Sequence, residues 1–113
     1  MTEELPLITC SFLTETLLYS AYMPFIKGGG LFVRTNNTYS LGTKVQLSVT
    51  LIDEHEPYLV SGNVAWITPK GAQNNKPSGV GIQFLGESSR FLSNKIETYL
   101  AGMLKLSQLN DTI

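Results

Sequence analysis

Few residues in this chain are of a type and spacing suited to chemistry. Lys27-Gly28-Gly29-Gly30 sets a cation beside three glycines, a pattern that can aim backbone N–H groups at an anion. It lacks the Gly-Lys-Ser/Thr order and the following helix of a nucleotide-binding loop. Three glycines leading into the β-type run Leu31, Phe32, Val33 serve equally as a thin turn that lets another backbone or a ligand approach. His55, the only histidine, stands among Asp53, Glu54 and Glu56. Adjacent residues of a short connection rarely converge on one ion, and zinc sites ask for several His or Cys ligands. No nucleophile elbow accompanies the histidine. A solvated turn is expected there, with no catalytic residue, no metal and no cofactor, so the chain reads as non-enzymatic. Cys10 is the only cysteine, which excludes an intrachain disulfide and a four-cysteine zinc site. Between Thr9 and Ser11 in an apolar run it reads as a half-buried packing residue.

The elements that must carry these residues follow from periodicity. Lys44 to Leu51 alternates, with Val45, Leu47, Val49 and Leu51 on one face, as a sheet with one wet side requires. Leu59 to Ile67 follows a polar connection and puts Val60, Val64 and Trp66 on one face, with Gly62 as a candidate bulge. Val80 to Leu85 groups Val80, Ile82 and Phe84. Leu7 to Leu13, Leu17 to Tyr22 and Gly30 to Thr35 complete six strands. Six short strands without an interior helix signal predict a mainly β fold, a small six-stranded antiparallel barrel whose closure removes exposed edges. Residues 68 to 79, rich in turn formers, read as a long, mobile hairpin tip.

From Ser88 the period changes. Leu92, Ile96, Tyr99, Met103 and Leu106, with Leu100 and Leu104 alongside, form one apolar stripe of a C-terminal amphipathic helix over about 88–107. Ser88 or Ser89 is its expected N-cap, Gly102 its expected point of close approach, and the last four residues its frayed end.

At 113 residues with 42% hydrophobic content, the chain fits one domain, the barrel over about 7–86 and then the helix. Eight basic against nine acidic side chains leave no global field for nucleic acid or an anionic membrane surface. Tyr19, Tyr22, Phe25, Phe32 and Trp66 could stack bases, but the nearby cations are too few to neutralise a backbone. The acidic start, Met1-Thr2-Glu3-Glu4, is unlike a secretory signal, and no apolar run reaches the roughly 18 residues of a span, so a cytoplasmic protein is expected.

The run Met23-Pro24-Phe25-Ile26-Lys27-Gly28-Gly29-Gly30-Leu31-Phe32-Val33, the Val64-Ala65-Trp66 segment, the strand Gly79-Val80-Gly81-Ile82-Gln83-Phe84 and the terminal helix together resemble the bacterial PilZ domain family over roughly residues 7 to 106. The apolar Pro-Phe before the glycines is most similar to the family's short, single-domain type from type IV pilus biogenesis. In the family the turn reads Asp or Asn, any residue, Ser, two residues, Gly, and follows an Arg-x-x-x-Arg segment; together these bind cyclic di-GMP. Aligned on Gly30, Phe25 stands where the family has Asp or Asn and Lys27 where it has Ser, and no arginine precedes Arg34. Two guanines and two phosphates call for planar, permanently charged groups, a task to which lysine is poorly matched.

The resemblance therefore implies an adaptor in type IV pilus assembly and twitching motility, monomeric alone, with a PilB-type assembly ATPase and a FimX-type degenerate EAL-domain protein as partners. Five large residues around one turn are costly to expose without use. The expected partner-binding surface is Tyr22, Met23, Pro24, Phe25 and Ile26 with Lys27 at its edge. Strand alternation separates Tyr22 and Pro24 from Met23 and Phe25, so Tyr22 is open to two readings. As a contact residue its truncation would cost little stability; as core it would cost much. The alternative function is a direct cyclic di-GMP receptor with an altered site at Lys27, Gly28, Gly29, Gly30 and Arg34.

Overall fold

Alternating apolar side chains build strands here, and the computed structural model describes the backbone of residues 5–52, 54–69 and 78–111, with side chains as far as residue 102. In chain order the elements are β1 (Leu7–Ser11), α1 (Glu15–Ala21), β2 (Gly30–Arg34), β3 (Lys44–Thr50), β4 (Tyr58–Thr68), β5 (Gly79–Leu85) and α2 (Glu87–Asp111). One curled sheet runs β1-β3-β4-β5-β2. Its neighbours are antiparallel except β1, which lies parallel to β3.

Three expectations change. The described residues form five strands, not six, because Leu17 to Tyr22 is helical. Thr14 caps α1: its hydroxyl accepts the Leu17 N–H at 3.1 Å, Glu15 sits in the first turn, and Leu18 and Ala21, three residues apart, turn inward. The pairing is mixed, because a parallel β1–β3 ladder needs the crossover that α1 and β2 provide. Among the described residues the sheet is an open half-barrel, since β1 and β2 each pair with one strand.

The predicted inner faces are otherwise as expected. Val45, Leu47, Val49 and Leu51, then Val60 and Val64, then Val80, Ile82 and Phe84 are all buried, and Leu92, Ile96 and Leu100 of α2 close over them. Trp66 departs from this pattern. The register shifts between Val64 and Trp66, and this bulge, rather than one at Gly62, turns Trp66 outward to 52% exposure. Helix α2 starts at Glu87, where the Ser89 hydroxyl donates to the Gly86 carbonyl at 2.6 Å. A Cβ on Gly102 would meet no described neighbour, so no close approach is seen there among the described residues. Met103, Leu104 and Leu106 lie beyond the described side chains, and residues 70–77 of the predicted hairpin tip, with Thr112 and Ile113, lie outside the described residues. No described helix is long and apolar enough to cross a membrane.

The acidic turn between β3 and β4 is not merely solvated; its Asp53 lies outside the described residues. Glu54 accepts the Tyr58 hydroxyl at 2.5 Å and the Tyr99 hydroxyl at 2.6 Å, and Tyr99 also donates to the Ile52 carbonyl at 3.0 Å. One carboxylate thus ties α2 to the β3–β4 connection. Those two hydroxyls hold the Glu54 carboxyl below its ordinary value of 4.5. A depressed folded-state pKa gives stability that is present above the unfolded value and lost as pH falls through the folded one. Acid unfolding of the parent should therefore show a loss of stability beginning near pH 4.5, and Glu54→Gln should flatten that limb while lowering neutral-pH stability. Denaturant midpoints measured between pH 3 and pH 7 check this; parallel profiles would contradict it.

Candidate functional site

The glycine turn is assembled where α1 ends. Tyr22 leaves the helix in extended conformation while its N–H still reaches the Leu18 carbonyl at 2.9 Å. It bridges Leu31, and the Met23 N–H reaches the Gly30 carbonyl at 2.9 Å, so the chain folds back along the edge of β2. Within the turn, Ile26 N–H donates to Met23 at 3.3 Å and Gly29 N–H to Ile26 at 2.8 Å. The Gly29 carbonyl then accepts from Phe84, and the Gln83 side-chain amide donates to the Lys27 carbonyl at 3.0 Å. Gly28 and Gly29 both sit at φ +84°, a region that disfavours L side chains. The N–H of Gly29, which an anion cradle would use, is engaged by Ile26.

Tyr22 anchors this turn. Its ring is buried, and its hydroxyl donates to Glu97 Oε2 at 2.5 Å and lies 3.2 Å from Ser93 Oγ, so two positions one turn apart on α2 hold it. Burial, then the bond to Glu97, pushes its pKa up to about 12. A Cβ on Gly29 would meet Ser93 Oγ at 2.9 Å and the Tyr22 hydroxyl at 3.3 Å, which ties the glycine requirement to the same contact.

The six residues expected to form one surface thus divide. Tyr22 and Met23 are buried, so of its two readings Tyr22 takes the packing one and is not an exposed contact in this chain. Pro24, Phe25 and Lys27 are exposed, Phe25 to 75%, and Ile26 is half-buried. Met23 reaches across the outer face of the sheet. A Cβ on Gly81 would come within 2.8 Å of both Met23 Sδ and Trp66 Cβ, so the glycine leaves room for Met23 beside the exposed tryptophan.

Opposite the turn, the first three turns of α2 complete a cleft of about 590 Å³ lined by Phe25, Lys27, Gln83, Arg90, Asn94 and Glu97 among others. Sequence reasoning missed the α2 residues. Their spacing of three and four already places Arg90, Asn94 and Glu97 on one helix face, but nothing local says that this face meets the glycine turn. Of the alternative nucleotide residues, Lys27 and the glycines lie in or beside this cleft, whereas Arg34 lines a different one, between β1 and β2. Lys27 and Arg90 are the cations of the site, and no described group of three or more His, Cys, Asp or Glu could hold a metal. The geometry offers a projecting aromatic and apolar rim beside a groove of mixed charge, suited to binding.

The model of the PilZ domain family matches residues 6–102. No curated protein matches the sequence.

Truncation separates anchor from rim. Tyr22→Ala should cost about 3–5 kcal/mol, the range for deleting a buried aromatic side chain. Tyr22→Phe should cost only about 1 kcal/mol, because exposed Glu97 regains water when the hydroxyl is removed. Urea unfolding of the two variants against the parent measures both, and a Tyr22→Ala loss under 1 kcal/mol would return Tyr22 to the surface.

Proposed function

Because this chain belongs to the PilZ domain family, we propose that it is a non-enzymatic adaptor of type IV pilus assembly and twitching motility that acts through protein contact. PilZ domains are binding and adaptor domains linked to cyclic di-GMP signalling, not catalysts. The observation that carries the pilus reading is Phe25. It replaces the polar residue with which the family meets the nucleotide, and it projects 75% exposed from a turn fixed by its own hydrogen bonds and by Tyr22. A large aromatic carried on an already ordered turn adds little backbone entropy cost on burial in a partner, and interface centres favour such residues.

The partners proposed are a PilB-type assembly ATPase and a FimX-type EAL-domain protein, on the cytoplasmic side of the membrane. In this scheme the EAL-domain partner senses cyclic di-GMP and the adaptor passes its state to the motor. Such a relay needs different affinities for the two partner states, not contact alone. The docking residues are Pro24, Phe25 and Ile26 with Lys27 and Trp66 at the margin, while Tyr22 and Met23 hold them in place. Direct reception of cyclic di-GMP is the second reading, and it draws on Lys27 and Arg90 lining one cleft. It would have to work without Arg34.

Phe25→Ala should weaken binding to at least one of the two partners by tenfold or more, as loss of a central aromatic does. The melting temperature should stay within about 2 °C, since the side chain is exposed. Leu41→Ala, also exposed but outside the site, is the control. Binding by purified partners and thermal melts read the outcome; parent-like affinity of Phe25→Ala for both partners would remove the turn from the interface.

A further inference from the structure

The half-barrel leaves two strand edges on either side of one cleft. Strand β1 pairs with β3 through Phe12 N–H to Thr50 C=O at 2.9 Å and Gln46 N–H to Pro6 C=O at 2.9 Å. In a parallel ladder this parity aims the backbone of Ile8 and Cys10 at β3 and leaves the N–H and C=O groups of Leu7, Thr9 and Ser11 pointing away. Strand β2 is bracketed by Phe84 N–H to Gly29 C=O at 3.0 Å and Thr35 N–H to Ser78 C=O at 3.2 Å, so Leu31 and Val33 bond to β5 and Arg34 points outward. The folded-back segment after α1 covers this edge at Gly30 and Leu31, and stops short of Arg34. Between the two edges lies a cleft of about 460 Å³, lined by Thr9, Ser11, Phe12, Phe32, Val33 and Arg34 among others.

Natural edge strands are usually blunted by charge, proline or a bulge. Strand β1, Leu-Ile-Thr-Cys-Ser, has none of these within it, and Leu7 is 60% exposed. Buried Phe12 and Val33 make the inner wall apolar. Arg34 is exposed on the opposite rim and forms no ion pair with a described residue.

We infer that this cleft takes an extended segment of a partner polypeptide, which adds to the free edge of β1 as a further strand, turns alternate apolar side chains inward and offers a carboxylate to Arg34. Outward-facing amides and carbonyls in strand register specify an extended backbone, and the alternating wall specifies the side chains. This surface is separate from the Phe25 turn, so its test stands or falls without any pilus protein.

The probe is the acetylated, amidated pentapeptide Val-Glu-Val-Thr-Val, titrated into the full ¹⁵N-labelled chain. Backbone pairing tolerates sequence, so a generic strand suffices. Amide shifts should concentrate at Thr9, Ser11 and Arg34, and hydrogen exchange at Thr9 and Ser11 should slow at least tenfold at saturation. The same peptide N-methylated at alternate residues, in either register, should bind at least tenfold more weakly in the register that faces β1. Arg34→Ala should weaken the parent peptide about threefold or more, yet leave the version with Gln for Glu unchanged. Absence of shifts up to millimolar peptide, shifts centred on the Phe25 turn, or equal binding of both methylated forms would overturn the inference, and an unweakened Arg34→Ala would overturn its carboxylate.

Discussion

The bond from the Tyr22 hydroxyl to Glu97 joins the two halves on which the site depends. Tyr22 is where α1 ends and the glycine turn begins, and Glu97 is in the third turn of α2, so this contact ties the turn to the terminal helix. The bond works because the tyrosine ring is buried while the carboxylate stays at the surface. A neutral hydroxyl can be desolvated at modest cost, whereas a buried carboxylate could not. Ser93, one turn earlier, takes the other side of the hydroxyl, and a Cβ on Gly29 would crowd Ser93 Oγ at 2.9 Å. Position 25 projects into water from a turn that has few conformations left to lose.

The same bonds bear on anion binding at the turn. A phosphate cradle needs free N–H groups and bidentate cations. Here the Gly29 N–H is taken by Ile26, the Gly29 and Lys27 carbonyls are held by Phe84 and Gln83 of β5, Lys27 is a point charge, and Arg34 lines another cleft. Gly28 and Gly29 hold the turn's backbone at positive φ, and Pro24, Phe25 and Ile26 before them form an apolar rim.

Much of this was legible in the sequence, and the failures have physical causes. Strands β3 and β5 and helix α2 follow from periods of two and of three to four in the apolar side chains, which bury Val45, Leu47 and Val49, then Val80, Ile82 and Phe84, then Leu92, Ile96 and Leu100. Helix α1 was missed because seven residues satisfy either period, and its decisive signal, Thr14 followed by Leu17 at N-cap spacing, is one hydrogen bond long. Trp66 was turned to the wrong face by a bulge, which reverses every parity downstream and leaves no certain mark in the sequence. Tyr22 was undecidable because its partner lies 75 residues away. The identity of the site's second wall is a question of long-range register, and local pattern does not carry it.

The glycine turn is proposed here as a protein-docking surface and not a nucleotide reader. Titration calorimetry of the purified chain with cyclic di-GMP tests it most directly. A docking turn should give no resolvable heat at nucleotide concentrations of about 100 µM, with the same preparation still binding a proposed protein partner. Saturable binding at micromolar affinity or tighter, abolished by substituting Lys27 and Arg90, would contradict it.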